Sequence, residues 1–214
     1  MTAKTHKSTT VLFVRHGQTA TTGSVLPGRA PGLHLNELGQ KQAEQAATRI
    51  LALGSNRIDA VYTSPMERAQ ETAAPIAKAV SKQVKVLQDL NECDFGQWTG
   101  RLLADLRRRR GWQQIQQSPS TFCFPKGESL LDMQSRINAA ARWLTHNHPE
   151  GTVVAVSHAD TIKAAVSHAC GAHLDMFQRI VVSPCSINAI VYSNEHTQVL
   201  TVNNTGDLKE LVSS

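Results

Sequence analysis

Short apolar runs alternate along this chain with longer segments whose apolar residues recur every three or four positions. The runs are rich in β-branched residues and predict strands near 10–15, 59–62, 84–87, 152–157, 186–192 and 197–202. The longer segments predict helices over about 36–53, 66–80, 101–110, 129–147 and 159–170. Strands that alternate with helices indicate an α/β fold, in which helices cover both faces of a mainly parallel sheet.

The ends of the first helix carry residues that suit them. Asn36 is a favoured N-cap, and Gly54 follows Leu53, where a glycine commonly ends a helix. The chain has 214 residues, which is enough for one substantial core, and no internal repeat or low-complexity linker divides it. We therefore expect a polar tail over 1–9 and a single domain over 10–214.

Composition narrows the class of protein. No apolar run approaches the length needed to span a bilayer, and the N-terminal residues lack the apolar core of a signal peptide, so we expect a soluble, cytoplasmic protein. The four cysteines form no C-x-x-C pair, which predicts reduced thiols rather than disulfides or a zinc site. A net charge of +5 fits an anionic small molecule or nucleic acid and does not choose between them.

Four motifs carry candidate chemistry, and three of them directly follow an apolar run. Arg15-His16-Gly17 follows residues 11–14, Arg68 lies in the segment that follows the run around 60–62, and His158 follows residues 153–156. The fourth motif contains Glu92, in the irregular, glycine-punctuated stretch 90–100. Ligands of doubly wound sheets bind at the carboxyl ends of the strands, so these motifs are expected to converge there.

Together, in this order, the motifs resemble the histidine phosphatase superfamily, and within it the phosphoglycerate-mutase-like branch. The resemblance covers about residues 10–205, and residues 26–43 are similar to the family's substrate loop and following helix. It implies a three-layer α/β/α sandwich with a mixed, mostly parallel sheet. The segment 101–126 is an insertion in this scheme, and we expect it to cap the site.

The resemblance also implies a role for each motif. His16 would be the nucleophile and become transiently phosphorylated, while the planar guanidinium groups of Arg15 and Arg68 would hold the phosphoryl oxygens. His158, when protonated, would donate to a phosphate oxygen, and Glu92 would be the general acid that protonates the leaving oxygen. The implied substrate-binding set is Gly17, Gln18, Thr19, Thr22, Gly28 and Arg29.

One position departs from the family pattern. The family often has an asparagine five residues after the glycine of Arg-His-Gly, and this chain has Thr22 there. A threonine hydroxyl can still donate to phosphate, though with a shorter reach.

The expected function is metal-independent hydrolysis of a small phosphorylated metabolite, with no cofactor and no metal. A phosphoglycerate-mutase-type phosphotransferase is the first alternative, because it uses the same pocket and differs in whether water reaches the phosphorylated histidine. A non-catalytic protein that binds a phosphate ligand or a partner is the third. The intact set of five candidate residues argues against the third alternative, and homo-oligomerisation stays open.

Two charged segments have competing interpretations. Residues 107–110 are four consecutive arginines, which on a helix point to most of its circumference, so a solvated helix end is favoured over a charged lip or a nucleic-acid surface. His146 and His148 precede Pro149, where we expect a helix to end, so they are interpreted as helix-end residues rather than metal ligands.

Overall fold

The computed structural model describes residues 8–193, 195–206 and 208. The strands of the described residues are β1 (Ser8–Arg15), β2 (Val25–Leu26), β3 (Ala60–Thr63), β4 (Val84–Val86), β5 (Arg101–Leu102), β6 (Thr152–Ser157), β7 (Ile187–Ser193) and β8 (Thr197–Asn204). The α-helices are α1 (Glu37–Leu51), α2 (Glu67–Ala79), α3 (Leu103–Leu106), α4 (Arg110–Gln117), α5 (Leu130–Asn147) and α6 (Ala159–Ala169). Short 3₁₀ helices connect them, among them Leu174–Arg179.

The main sheet has the strand order β4-β3-β6-β1-β7-β8. Strands β4, β3, β6 and β1 run parallel, while β7 and β8 add an antiparallel edge. The predicted mixed, mostly parallel sheet is therefore confirmed. Strand β1 begins at Ser8, two residues before the predicted start, and the residues before Ser8 lie outside the described part of the chain.

Helices pack on both faces of this sheet because the side chains of each strand alternate between them. Val11 and Phe13 join a core formed with α5 and α6, whereas Leu12 and Val14 join a second core formed with α1 and α2. Burial of each such apolar side chain contributes about 1.5–3 kcal/mol relative to its exposed state. The three-layer arrangement follows from this double-sided apolar pattern.

The start of helix α1 packs against the turn that follows the Arg-His-Gly motif. Asn36 is its N-cap, as predicted, and its Oδ1 accepts a hydrogen bond from Gly39 N at 2.8 Å. A Cβ on Gly39 would lie 2.0 Å from the Gln18 carbonyl oxygen, and one on Gly17 would lie 2.5 Å from that of Gly39. Only glycine at both positions permits this contact, which fixes the turn after His16.

The prediction of one helix over 101–110 is wrong. Those residues form β5, the single turn of α3 and the first residue of α4. The break lies at Arg109, whose backbone is extended (φ −86°, ψ 145°). Leu106 and Ile115 are both buried, and the change of direction between α3 and α4 points both side chains into the core.

A small second sheet links the two segments that were expected to surround the site. Strand β2 pairs antiparallel with β5, so Val25 lies opposite Leu102 and Leu26 opposite Arg101. The substrate-loop region and the predicted cap segment are therefore joined by backbone hydrogen bonds. None of the helices in the described part of the chain is both long and apolar enough to cross a membrane.

Candidate active site

A cavity of about 450 Å³ opens at the carboxyl ends of β1 and β6. Of the predicted residues, Arg15, His16, Thr19, Thr22 and Glu92 line it. Arg68 and His158 lie fully buried next to this group, with the His158 ring centroid 5.1 Å from that of His16. The structure thus brings the five predicted catalytic residues together, and their catalytic roles stay predictions.

His16 is held with one defined ring nitrogen available for attack. Its Nδ1 lies 2.8 Å from the Gly17 carbonyl oxygen, which only accepts, so Nδ1 carries the proton and Nε2 carries the lone pair. Burial, followed by the charges of Arg68 and Arg15, lowers the pKa of His16 to about 3. The imidazole is therefore neutral at physiological pH, which is the form that can act as a nucleophile.

Arg15 extends from the end of β1 along the wall of the cavity. One of its terminal nitrogens, Nη1, donates to the Val182 carbonyl at 2.7 Å, while its buried Nε has no partner among the described residues. Burial lowers the pKa of Arg15, and the nearby Glu92 and Asp160 oppose that shift. Because an arginine in a protein remains charged, the cavity keeps a cation beside His16.

Arg68 lies at the start of α2 and is fully buried. Its Nη2 donates to the Gly28 carbonyl at 2.8 Å and lies 3.3 Å from His158 Nδ1. Its Nε and Nη1 have no partner among the described residues. Buried donors without a partner are costly, so a guanidinium in this state is suited to an anion that supplies oxygen acceptors.

His158 caps α6 and bridges Arg68 to Ser64. An arginine only donates, so Nδ1 accepts from Arg68, and the ring proton is on Nε2, 2.8 Å from Ser64 Oγ. Burial, reinforced by Arg68, lowers the pKa of His158 well below its usual value. Donation to a phosphate oxygen, as predicted, therefore requires His158 to take up a proton at Nδ1 when the anion binds.

Glu92 has the properties expected of a general acid at neutral pH. Its Oε1 accepts from Cys93 N at 2.9 Å, and its Oε2 lies 3.8 Å from His158 Nδ1. Burial, followed by the negative charge of Asp160, raises the pKa of Glu92 to about 7. Both the protonated and the ionised carboxyl are therefore accessible near physiological pH.

The loop that carries Glu92 is held by two charged residues that were not among the predicted site residues. Arg136, on α5, donates to the carbonyls of Asp89 and Asn91 at 2.8 and 2.9 Å, and its Nη2 donates to the Glu92 carbonyl at 3.3 Å. The same guanidinium makes two contacts with the Glu128 carboxylate, at 2.9 and 3.0 Å. The apolar periodicity of 129–147 predicts that residue 136 lies in a helix, but it does not predict that this residue contacts the Glu92 loop.

Two predicted substrate-binding residues have other contacts in the structure. Arg29 does not line the cavity, and its guanidinium donates to the Glu92 carbonyl at 2.8 Å and to Glu128 at 3.1 Å. The carbonyl of Gly28 accepts from Arg68, and its positive φ of 53° favours glycine. Both residues thus contact members of the candidate catalytic set or the loop that carries them, and their predicted role in substrate binding stays a prediction.

The remaining members of the predicted set form the turn after His16. Gly17 N donates to Thr72 Oγ1 at 3.0 Å, and Gln18 N donates to Gln42 Oε1 at 2.9 Å. Thr22 Oγ1 accepts from Thr19 N at 2.9 Å. Thr22 Oγ1 also lies 3.0 Å from Thr19 Oγ1, and either hydroxyl can be the donor of that hydrogen bond. Thr22 lines the cavity, and its predicted phosphate contact stays a prediction.

The segment that resembles the family's substrate loop is anchored to α2 by two carboxylates. Glu67 accepts from Gly32 N at 3.0 Å, and Glu71 accepts from Leu35 N at 2.8 Å while also contacting His34. Arg68 is adjacent to Glu67 in sequence and binds the same loop through Gly28. The helix that delivers this arginine therefore also fixes the loop above it.

The other charged groups singled out in the sequence lie away from the cavity. The four arginines at 107–110 are exposed, and none of them lines it. His148 ends α5, and its Nε2 lies 2.9 Å from Tyr62 Oη, which fits the interpretation as a helix-end residue. The described residues contain no group of three or more His, Cys, Asp or Glu that could hold a metal, and all four cysteines are free thiols.

Comparison with known proteins gives the family. The sequence profile of the histidine phosphatase superfamily (branch 1) matches residues 11–205. The chain belongs to the histidine phosphatase superfamily. This match spans all four motifs, so the predicted resemblance is confirmed.

Named relatives of this chain include two kinds of enzyme. It is 29% identical over 188 residues to phosphoserine phosphatase 1 of Hydrogenobacter thermophilus, a match that covers 86% of this chain and 88% of the relative. It is 30% identical over 171 residues to a 2,3-bisphosphoglycerate-dependent phosphoglycerate mutase of Mesorhizobium japonicum, covering 74% of this chain and 80% of the relative.

A longer relative and a solved structure complete the comparison. Bifunctional protein Rv2228c of Mycobacterium tuberculosis is 34% identical over 208 residues, which cover 94% of this chain and 55% of the relative. The chain thus spans about half the length of that protein. A crystal structure of a phosphoserine phosphatase mutant from Entamoeba histolytica in complex with phosphoserine has a TM-score of 0.83 at 23% identity, covering 94% of this chain and 99% of the other. That likeness establishes the shared fold.

Proposed function

We propose that this protein is a metal-independent phosphomonoester phosphatase that acts on a small phosphorylated metabolite through a phosphohistidine on His16. One observation carries the proposal. The neutral His16 offers its Nε2 lone pair beside the fully buried Arg68 and the partly buried Arg15, and both arginines retain buried N–H donors without a partner among the described residues. A nucleophile next to unused cationic donors is the arrangement that phosphoryl transfer requires.

In the first step, His16 Nε2 attacks phosphorus and the bond to the leaving oxygen breaks. Arg15 and Arg68 stabilise the charge on the phosphoryl oxygens, which is spread over three atoms in the transition state. The protonated Glu92 gives its proton to the leaving oxygen, so an alcohol departs. The product is a phosphoramidate on His16 and an ionised Glu92.

In the second step, water attacks the phosphorus atom carried by His16, and the bond between His16 Nε2 and phosphorus breaks. Glu92, now ionised, accepts the proton of this water, and its pKa of about 7 lets one carboxyl serve in both steps. Phosphate then leaves and His16 regains its neutral form. His158 supports both steps if the bound dianion draws a proton onto Nδ1, 3.8 Å from Glu92 Oε2.

A mutase that returns the phosphoryl group to substrate uses the same first step. The relative named as a phosphoglycerate mutase, 30% identical, favours keeping it as the second candidate. The segment 101–126 contributes Leu103, Trp112 and Gln116 to the cavity wall, and we propose that it acts as the cap that controls water access.

The decisive experiment is rapid quenching during turnover of an alkyl phosphate labelled at phosphorus. The label should be bound to protein, stable in base and labile in acid, as a phosphoramidate is, and His16→Ala should carry none. Phosphate should be released in a chelator, in equal amount with the alcohol. Label on serine, cysteine or aspartate contradicts the mechanism, and conversion of 3-phosphoglycerate to 2-phosphoglycerate without phosphate release supports the mutase. Ligand binding with neither label nor phosphate release supports a non-catalytic protein.

A further inference from the structure

The cavity extends well beyond the groups that handle the phosphoryl group. A volume of about 450 Å³ lies in the range that accommodates organic ligands much larger than phosphate itself. The phosphoryl-binding residues occupy one end. The other end is formed by β2, the start of α3, α4, α6 and the segment after the 3₁₀ helix Leu174–Arg179, and it must contact the leaving group of the substrate.

Most of that second end is apolar. The apolar residues that line the cavity there include Val25, Leu26, Leu103, Trp112, Ile180 and Val181. Val181 is 62% exposed although it lines the cavity, and Leu102, beside Leu103, is 52% exposed. Removal of this apolar surface from water is favourable, so the surface should bind an apolar part of a ligand.

The charged groups at this end compensate each other. Lys163 and Asp160, one turn apart on α6, both line the cavity, and Lys163 Nζ lies 3.3 Å from Asp160 Oδ1. Lys163 Nζ also donates to Gln178 Oε1 at 3.2 Å and lies over the Phe177 ring, 5.8 Å from its centroid. The ammonium group is thus already engaged by a carboxylate, an amide and an aromatic face. A carboxylate on the substrate would meet Asp160 as well as Lys163, and would have to displace this pairing.

We propose that this end of the cavity selects phosphomonoesters whose leaving group is uncharged and largely apolar, and that the Asp160–Lys163 pair disfavours leaving groups that carry a second anion. This inference rests on the proposed function and adds a substrate class to it. The proposed substrates of this chain differ from phosphoserine and phosphoglycerate, the substrates in its relatives' names, because those two carry a carboxylate.

The test compares two substrates that differ only at the far end. Hexyl phosphate ends in a methyl group, and the phosphate ester of 6-hydroxyhexanoate ends in a carboxylate, while their leaving oxygens are almost equally basic. We expect kcat/KM to be at least about tenfold higher for hexyl phosphate, since an apolar pocket discriminates by this much or more against a misplaced polar group. Methyl phosphate, which cannot reach the apolar wall, should be a poorer substrate than hexyl phosphate by about tenfold or more.

Two variants at the charged pair locate the source of the preference. Asp160→Asn frees Lys163 from its carboxylate and should reduce the preference for hexyl phosphate about tenfold or reverse it. The substitution also alters the acidity of Glu92, but that effect is common to both substrates and cancels in the ratio. Lys163→Met is the matched control, and it should retain or increase the preference for the methyl-ended chain.

Two variants at the apolar wall test the other half of the proposal. Trp112→Ala should lower kcat/KM for hexyl phosphate about tenfold with little change for methyl phosphate. Val181→Ser alters an exposed side chain, so it tests the same wall if Trp112→Ala does not fold. A smaller decrease in the same direction is expected from it.

The outcomes separate this inference from the function on which it rests. Absence of phosphate release from every substrate, including p-nitrophenyl phosphate, would overturn the proposed function. Hydrolysis of the carboxylate-ended ester at a rate equal to or above that of hexyl phosphate would overturn the inference alone. A preference for hexyl phosphate that neither Asp160→Asn nor either wall variant reduces would also overturn it.

Discussion

The two ends of the cavity are built in different ways. At the phosphoryl end, Arg68 and His158 are fully buried and His16 is 6% exposed, and all three lie at the ends of β1 and β6 or the start of α2. At the leaving-group end, Val181 is 62% exposed, and the wall is assembled from loops, the two-residue strand β2, the short helices α3 and α4, and the start of α6. One end is fixed by the central sheet and the other by its peripheral connections.

We infer from this difference that the phosphoryl end carries out the reaction and the leaving-group end selects the substrate. Side chains at strand ends have backbones held by neighbouring strands, so distances such as the 2.8 Å from His16 Nδ1 to the Gly17 carbonyl are maintained by the core. The loops at the other end have fewer such constraints and can change their side chains without disturbing the sheet. Substitutions at the phosphoryl end should therefore affect reactions of all substrates, and those at the leaving-group end should change the choice among them.

The largest effect is expected at His16. His16→Ala should lower kcat by at least about 10⁴-fold on every phosphomonoester, because removal of a covalent nucleophile has effects of this size. The measurement is phosphate release at saturating substrate, with a thermal melt to show that the variant folds. His146→Ala is the matched control, since that histidine is exposed and lies outside the cavity. A variant that keeps a tenth of the activity would rule out His16 as the nucleophile.

The next effect depends on the leaving group. Glu92→Gln preserves size and polarity but removes the transferable proton, so hydrolysis of an alkyl phosphate should fall about 10²–10⁴-fold, the usual contribution of general acid catalysis. Loss on p-nitrophenyl phosphate should be much smaller, because p-nitrophenolate leaves without a proton. The two rates are measured with the same preparation. Equal losses would show that Glu92 positions substrate or water, and Asp94 would become the next candidate for the acid.

Arg68 should matter equally for both of those substrates, because in the proposed mechanism it contacts the phosphoryl group and not the leaving group. Arg68→Ala should reduce kcat/KM roughly 10²–10³-fold, the scale of losing a preorganised transition-state donor. Arg68→Lys keeps the charge but not the planar fork, and should recover only part of the loss. A decrease of tenfold or less in the alanine variant, with an intact thermal melt, would place Arg68 outside the reacting complex.

The pH dependence should also differ between substrates. Burial raises the pKa of Glu92 to about 7, and the acid is active when protonated, so kcat/KM for an alkyl phosphate should fall about tenfold per pH unit above pH 7. The pKa of His16, lowered to about 3, keeps the nucleophile neutral from mildly acidic to neutral pH, so no loss from its protonation is expected there. The ratio of alkyl phosphate to p-nitrophenyl phosphate rates isolates the acid. Asp160→Asn should move the decrease to lower pH, since it removes a charge that raises the pKa of Glu92.

Much of the fold and the phosphoryl end could be predicted from the sequence. Apolar runs such as 153–156 are continuous because parallel strands are buried on both faces, and the catalytic side chains follow them directly. The residue type at position 36 was also sufficient to predict the N-cap of α1. The family resemblance supplied the roles, which spacing alone does not give.

The leaving-group end could not be predicted because its parts are distant in sequence. The same distance hid the support of the Glu92 loop, since Arg136 contacts it from a helix that begins more than thirty residues later, at Leu130. The pairing of β2 with β5 joins residues 25–26 to 101–102 through two-residue strands that carry no periodic signal. The error over 101–110 has the same origin, since burial of Leu106 and Ile115 determines the break and is a tertiary effect.

The smallest effect is expected from the four arginines at 107–110. Their replacement by glutamine should change kcat/KM for p-nitrophenyl phosphate by less than about twofold at physiological salt, because they are exposed and none lines the cavity. Charges in solvent act mainly by steering, which is screened beyond about 8 Å at this ionic strength. Any decrease should therefore be larger at low salt and disappear at high salt. A tenfold loss that persists at high salt would show direct contact with the substrate, and the arginines would then form the charged lip that the structure argues against.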